Sequence, residues 1–378
     1  MTDDVEPFEV RIGDDEIADL RHRLACTRWP DAETVDGWDQ GVPLAYVREL
    51  CDYWADGYDF GLAARVNAFP QVCVRVDGLR VHALHVRSPE PDALPLVLTH
   101  GWPGSVVEFL KVLGPLTDPR AHGGDPADAF HVVAPSLPGY GWSDAPTTIG
   151  WGVDRIALAW DALMSALGYD RYGAQGGDWG SVVTGSLARQ VPDRLAGIHV
   201  NMATVVPDRS TLDDLSADEQ RTLDDIAEHR ATGTGYSTQQ STRPQTLGYG
   251  LADSPAGQCA WIVEKFWAWT DHDGDPSSAL TRDEMLDNVS VYWFTGTATS
   301  SARLYWESLR DRNSDPIAVP SGISIFPGEI YRPSRRWAER RYTDLRWYEV
   351  LDRGGHFAAY EQPAAFVDQL RGFFRLVR

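Results

Sequence analysis

Cysteine is scarce in this chain and is not spaced for metal or redox work. The four cysteines, Cys26, Cys51, Cys73 and Cys259, form no C-x-x-C pair, so neither a zinc knuckle nor a thioredoxin-like motif is present. No apolar run approaches the ~20 residues needed to cross a bilayer. The acidic start Met1-Thr2-Asp3-Asp4-Val5-Glu6 lacks the apolar stretch of a secretory signal. The expectation is a soluble cytoplasmic protein with reduced thiols and no membrane partner. Basic residues are in the minority, 34 Lys and Arg against 55 Asp and Glu, for a net charge of −21. An anionic surface repels phosphate backbones and anionic lipid, which argues against nucleic acid as a partner and reads simply as solubility. Internal repeats and low-complexity tracts are also absent. What is present is an ordinary globular balance, 43% hydrophobic and 24% charged over 378 residues. That length fits one large α/β domain carrying an insertion.

The periodicity divides the chain. Residues 1 to about 65 have a mostly helical pattern, with Ile17, Leu20 and Leu24 on one face after Asp14-Asp15-Glu16 and a second candidate helix near Leu44 to Trp54. Val72, Val74 and Val76 then alternate with polar residues, Asp77-Gly78 makes a turn, and Val81 to Val86 continues as a second strand. From Leu94 the pattern becomes strand, glycine-rich turn, helix, which points to a mostly parallel sheet covered on both faces. Residues 204–318 break this rhythm with helical, Trp- and Tyr-rich sequence before strands return at Ile323 and Arg346. A helical insertion between two strands of one sheet forms a cap over the strand ends, where open α/β sheets place their sites.

The strongest local signal is Gly176-Gly177-Asp178-Trp179-Gly180-Ser181. Small residues two before and two after a reactive side chain suit a sharp strand-to-helix turn. Such elbows usually carry Ser; here the centre is Asp178, which as a plain alternative suits a helix N-cap. A carboxylate attacking an sp³ carbon becomes an alkyl ester, which water can open at its carbonyl. Serine would form an ether that cannot be opened in that way. Asp in an elbow therefore implies alkyl transfer, from an epoxide or an alkyl halide. His356, in Arg353-Gly-Gly-His-Phe-Ala-Ala359 after the last strand, is the candidate base. Glu329 ends the strand two before it and is the candidate acid that orients the imidazole; Asp352 is a rival too near His356 in sequence to be placed freely. The order Asp178, Glu329, His356 matches nucleophile, acid, base. His100-Gly101-Trp102-Pro103 follows a strand, so the backbone N–H groups of Trp102 and Trp179 are candidates for an oxyanion hole. His22, His82, His85 and His229 are given no role. Asp271-His272-Asp273-Gly274-Asp275 fails as a calcium loop, with Pro276 and Arg282 where Gly and Glu are required, and reads as a solvated turn. No cofactor and no metal are expected.

These motifs together resemble the microsomal-type epoxide hydrolases of the α/β-hydrolase superfamily, over nearly the whole chain. The resemblance rests on Pro7-Phe8 to Trp29-Pro30, His100 to Ser105, Pro135 to Ser143, Gly176 to Gly180, Phe326 to Glu329 and Arg353 to Glu361. It implies an α/β-hydrolase fold with an N-terminal extension (1–69), a core in two parts (70–203 and 319–378) and a helical cap (204–318). It also implies two cap tyrosines as acids, matched here by Tyr236 and Tyr305. The physics agrees: an opened epoxide leaves an alkoxide that needs a proton, and paired phenols can give one. Membrane-bound members begin with an apolar anchor; without one, a soluble bacterial-type member is expected, and nearly absent lysine suits a GC-rich bacterial genome. Among soluble members the chain is similar to those of enediyne antibiotic biosynthesis, and its 15 tryptophans suit a bulky aromatic substrate. The partners implied are a small-molecule epoxide and water, with a homodimer left open. Two other readings compete. A haloalkane dehalogenase shares the fold and the Asp nucleophile but not the tyrosine pair or the extension. A non-catalytic ligand receptor of this fold would usually lack a member of the triad, and all three are present.

Overall fold

The computed structural model describes residues 5–309 and 313–378. The acidic start at residues 1–4 and positions 310–312 of the expected cap lie outside the described residues. Nine strands make one sheet: β1 (Val5–Pro7), β2 (Gln71–Val76), β3 (Leu79–Val86), β4 (Leu94–Thr99), β5 (Phe130–Pro135), β6 (Tyr172–Gly176), β7 (Leu195–Val200), β8 (Ser321–Ile325) and β9 (Leu345–Val350). Their order is β1-β2-β3-β5-β4-β6-β7-β8-β9. The first three pairings are antiparallel and the rest parallel. Strands β5, β6, β7 and β8 are buried along their whole length, as parallel strands covered on both faces must be, which is why they read as short apolar runs. The β2–β3 hairpin closes on Asp77 (φ 48°) and Gly78 (φ 85°), the two positive φ values of a type I′ turn.

The N-terminal segment is mostly helical, and it also supplies a strand that the sequence did not show: β1 pairs with β2 and adds an edge strand to the sheet. Three exposed residues, one a proline, carry no alternation from which a strand could be read. The expected helices are present at Asp14–Ala25 and Leu44–Asp56, followed by a short one at Leu62–Asn67.

Topology then places the site. β4 lies between β5 and β6, so its outgoing loop opens at the point where the strand order reverses. In the β4–β6 register Thr99 faces Gly176. The segments that follow, Gly101-Trp102 and Gly177-Asp178, therefore leave the sheet side by side. On the other flank Ile325 faces Val350, and a bridge joins Gly328 to Gly355, bringing the loops after β8 and β9 together. Between β7 and β8 lie the helices Ala217–Glu228, Gly235–Thr242, Pro244–Asp253, Pro255–Trp269, Arg282–Thr295 and Ala298–Ser308. Among the described residues no helix is long and apolar enough to cross a membrane.

Candidate active site

Asp178 sits where β6 turns into the Trp179–Gln190 helix, at φ 49° and ψ −127°. A non-glycine residue in that region is strained and is held only by its surroundings. The glycines of the motif explain how. A Cβ on Gly176 would lie 2.1 Å from the Gly180 carbonyl oxygen, and one on Gly180 would lie 1.9 Å from that of Thr99. The turn thus closes on backbone at both positions expected to be small. Asp178 occupies the N-cap position without capping the helix. Its Oδ1 instead accepts the Trp102 N–H at 2.8 Å.

Gly101 is equally constrained, since a Cβ there would lie 2.2 Å from Asp178 Oδ1. Gly101→Ala should push the carboxylate out of place and cost about 10²-fold in turnover, the usual effect of a displacement near 1 Å. Steady-state rates beside a thermal melt showing a folded variant check this.

His356 lies between two carboxylates. Its Nδ1 is 2.6 Å from Glu329 Oε1, and its Nε2 is 3.6 Å from Asp178 Oδ2. Burial alone would lower the imidazole pKa, but Glu329, then Asp178, raises it to about 9. Burial raises the pKa of Asp178, against the pull of His356 and the backbone amides of Trp102 and Trp179. Asp352, the rival acid, is exposed. The three triad candidates are therefore brought together, with the two candidate oxyanion donors on the Asp178 carboxylate.

The tyrosines converge on the same spot from separate helices. Tyr236 stacks on Trp102 (ring centroids 5.0 Å apart, 9° between planes), and Tyr305 meets Trp179 edge-on at 4.9 Å. The two phenol rings are 5.7 Å apart. Burial first raises both phenol pKa values, helped next by the Asp178 charge at Tyr236 and by Tyr236, then Asp178, at Tyr305, so both are protonated donors at neutral pH. Among the described residues the Tyr305 hydroxyl has no hydrogen-bond partner. Buried Lys265 places its ammonium 4.4 Å from the centre of the Tyr236 ring.

Sequence reasoning missed the residues that hold these loops. Asn288 donates from Nδ2 to the Pro103 carbonyl (2.7 Å) and accepts from Ser105 Oγ (2.8 Å), and the Tyr292 hydroxyl donates to the Gly104 carbonyl (2.8 Å). All three bonds run between the Arg282–Thr295 helix and the loop after β4. The same helix is tied to the N-terminal segment. Asp287 accepts from Arg65 Nε (2.8 Å) and from the Tyr58 hydroxyl (2.5 Å), and Trp54 Nε1 donates to Ser290 Oγ (3.0 Å). Glu361 gathers the His356 loop by accepting the N–H groups of Asp271 (2.8 Å), Gly355 (3.0 Å) and Phe357 (2.9 Å). Asp271 also accepts the Gly354 N–H at 2.8 Å. The acidic tract read as a solvated turn therefore anchors this loop at its first residue. Apart from the bonds of Glu361 to Gly355 and Phe357, these contacts join residues dozens to hundreds of positions apart, so they carry no local sequence signal. His82 and His85 bond Gln71 and Tyr169, away from the site. Among the described residues no cluster of metal-ligating side chains occurs.

Comparison with known proteins finds relatives over nearly the whole chain. The family described as "Epoxide hydrolase N terminus" matches residues 5–109, and the alpha/beta hydrolase fold family matches residues 95–245. The chain is 53% identical over 376 residues to a provisionally named epoxide hydrolase of Stigmatella aurantiaca, covering 99% of this chain and 86% of that one. It is 34% identical over 404 residues to epoxide hydrolase 1 of Sus scrofa, covering 99% and 89%. The structure of Aspergillus niger epoxide hydrolase superposes with a TM-score of 0.89 at 31% identity, covering 99% of this chain and 96% of that one.

Proposed function

The chain belongs to the epoxide hydrolases and has the α/β-hydrolase fold, and on that premise we propose that it opens a bulky, aromatic-bearing epoxide through an alkyl ester on Asp178. The observation that carries this is the pairing of a strained, buried Asp178 with two protonated phenols. Oδ1 is engaged by the Trp102 amide, which leaves Oδ2 to attack an epoxide carbon. Tyr236 and Tyr305 protonate the departing oxygen. His356, oriented by Glu329, then activates water against the ester carbonyl, and the amides of Trp102 and Trp179 stabilise the oxyanion. The rings of Trp102, Trp179, Tyr236, Trp269 and Tyr305 surround the reacting atoms, which favours an aromatic substituent on the substrate. The part played by each stretch follows: 1–69 as an extension, 70–203 and 319–378 as the catalytic core, and 204–318 as a cap supplying the acids. A place in enediyne biosynthesis is supported by the sequence resemblance alone.

The buried indole N–H of Trp179, which has no partner among the described residues, is the feature a halide-releasing enzyme would use. Halide needs no proton, however, and the two phenols would then be idle. Enantiopure styrene oxide separates the readings. Diol should form, and in a single turnover in heavy-oxygen water the label should enter Asp178 while the diol stays unlabelled. Label entering the diol directly would make Asp178 a general base, and halide release from a haloalkane without diol from the epoxide would favour the dehalogenase.

A further inference from the structure

On the sheet side of Asp178 lies a cavity of about 20 Å³, bounded among others by Asp178, His356, Glu108, Gln175 and Asn201. A space of ~10–15 Å³ admits one water, provided polar groups receive it. Two do so here. Gln175 is 1% exposed; its Nε2 donates to Asn201 Oδ1 at 2.8 Å, but its buried Oε1 has no partner among the described residues. Glu108 is the second. It belongs to the short helical turn Val106–Phe109, and its carboxyl lies against the open face of Gly104, where a Cβ would collide with Oε1. The turn that shapes the loop after β4 thus also aims a carboxyl group into the cavity beside the triad. Burial raises the Glu108 carboxyl to about 8, against the pull of His356, so at neutral pH it is mostly an uncharged group that can both donate and accept. Nothing in the first step uses Glu108, and an acid kept there without a role would cost stability for no return.

We propose that this cavity holds the water that cleaves the Asp178 ester, and that Glu108 is a positioning residue which, with Gln175 Oε1, aims that water at the ester carbonyl carbon. The inference rests on the alkyl-ester reading and extends it. In the step, the water oxygen bonds to Cγ of the Asp178 ester and one of its protons passes to His356 Nε2. The tetrahedral oxyanion then collapses. The bond between Cγ and the substrate-bearing oxygen breaks, that oxygen leaves in the diol with the proton returned from His356, and Asp178 keeps the oxygen of water.

The test separates the two steps by stopped-flow tryptophan fluorescence with styrene oxide in single turnover. Glu108→Met should leave alkylation within about threefold of wild type and slow ester hydrolysis roughly 10–100-fold, the value of one well-placed polar contact. Glu108→Gln, which like the neutral acid can donate and accept, should recover most of that loss at pH 7. Equal loss in both steps, or hydrolysis unchanged in Glu108→Met, would overturn the assignment. Should Glu108→Met fail to fold, a high-resolution crystal structure of the wild type decides: a water within hydrogen-bond reach of Glu108 and Gln175 Oε1 supports the site, and a dry cavity rules it out. Failure of the ester reading itself looks different, because His356→Gln would then gain no substrate mass.

Discussion

Enzyme carrying His356→Gln should gain the mass of one substrate and stop. The imidazole is needed as a base only after Asp178 has been alkylated, so the first step survives, slowed by loss of the imidazolium charge that steadies the carboxylate, and the ester persists. Turnover should fall by roughly 10⁴–10⁶-fold, the range seen when a hydrolytic base is removed from a coupled triad, and intact-protein mass spectrometry should find a stoichiometric adduct that maps to Asp178. A clean loss of both adduct and diol would instead place His356 in the first step. The charges around His356 explain why it can wait. In the free enzyme burial opposes its proton, but Glu329 and Asp178 together hold its pKa at about 9, and the imidazolium steadies the Asp178 carboxylate. Alkylation erases the Asp178 charge. The proton affinity of His356 then drops, and a neutral imidazole becomes available as a base at neutral pH. Both wild-type steps should therefore weaken in acid, each through a different group. Alkylation should fail at low pH as Asp178 protonates. Ester hydrolysis should rise with pH and level off below pH 9. Stopped-flow traces across pH resolve both limbs, and a hydrolysis limb still rising above pH 9 would contradict the charge argument.

Removing both phenols should be nearly as damaging, and at the other step. Tyr236→Phe or Tyr305→Phe alone should slow alkylation by roughly 10²–10⁴-fold, the range for one general acid, or less where the remaining phenol substitutes. The double variant should lose far more than either single one, because the alkoxide would have to leave without a proton. The two hydroxyls come from separate helices, Gly235–Thr242 and Ala298–Ser308, that meet over Trp102 and Trp179. Phenylalanine keeps those ring contacts, so a lost rate would report the proton and not the packing. Pre-steady-state alkylation of the folded double variant at near wild-type speed would move the acid elsewhere.

Much of this site was legible because its signals are local or ordered along the chain. Gly176 and Gly180 marked an elbow; the clash that forbids a side chain at Gly176 is with Gly180 within the motif, whereas the one at Gly180 is with Thr99 of the neighbouring strand. Glu329 and His356 were legible from the strand each follows. Tyr236 and Tyr305 were not legible from chemistry, since a tyrosine in an aromatic-rich helix looks like packing, and only resemblance to a family singled them out. Glu361 closed a recognised motif but its role was unread, and Asn288 and Asp287 were invisible for a plainer reason. The last two work by bonding to residues brought near by the fold alone, and a lone Asn or Asp in a helical pattern reads as surface. The edge strand β1 escaped because Val5–Pro7 is too short and too exposed to show a period.

Asp287 and Asn288 are neighbours in sequence that hold opposite things. One takes Arg65 and Tyr58 of the N-terminal segment; the other grips the loop that carries the Trp102 amide. Linkage is reciprocal, so whatever coupling this shared helix carries between the two grips acts with the same free energy in both directions. Residues more than a hundred positions before the nucleophile thus share one helix with the loop that binds its carboxylate, which gives changes at that remote contact a physical route to the chemistry without touching a reacting atom.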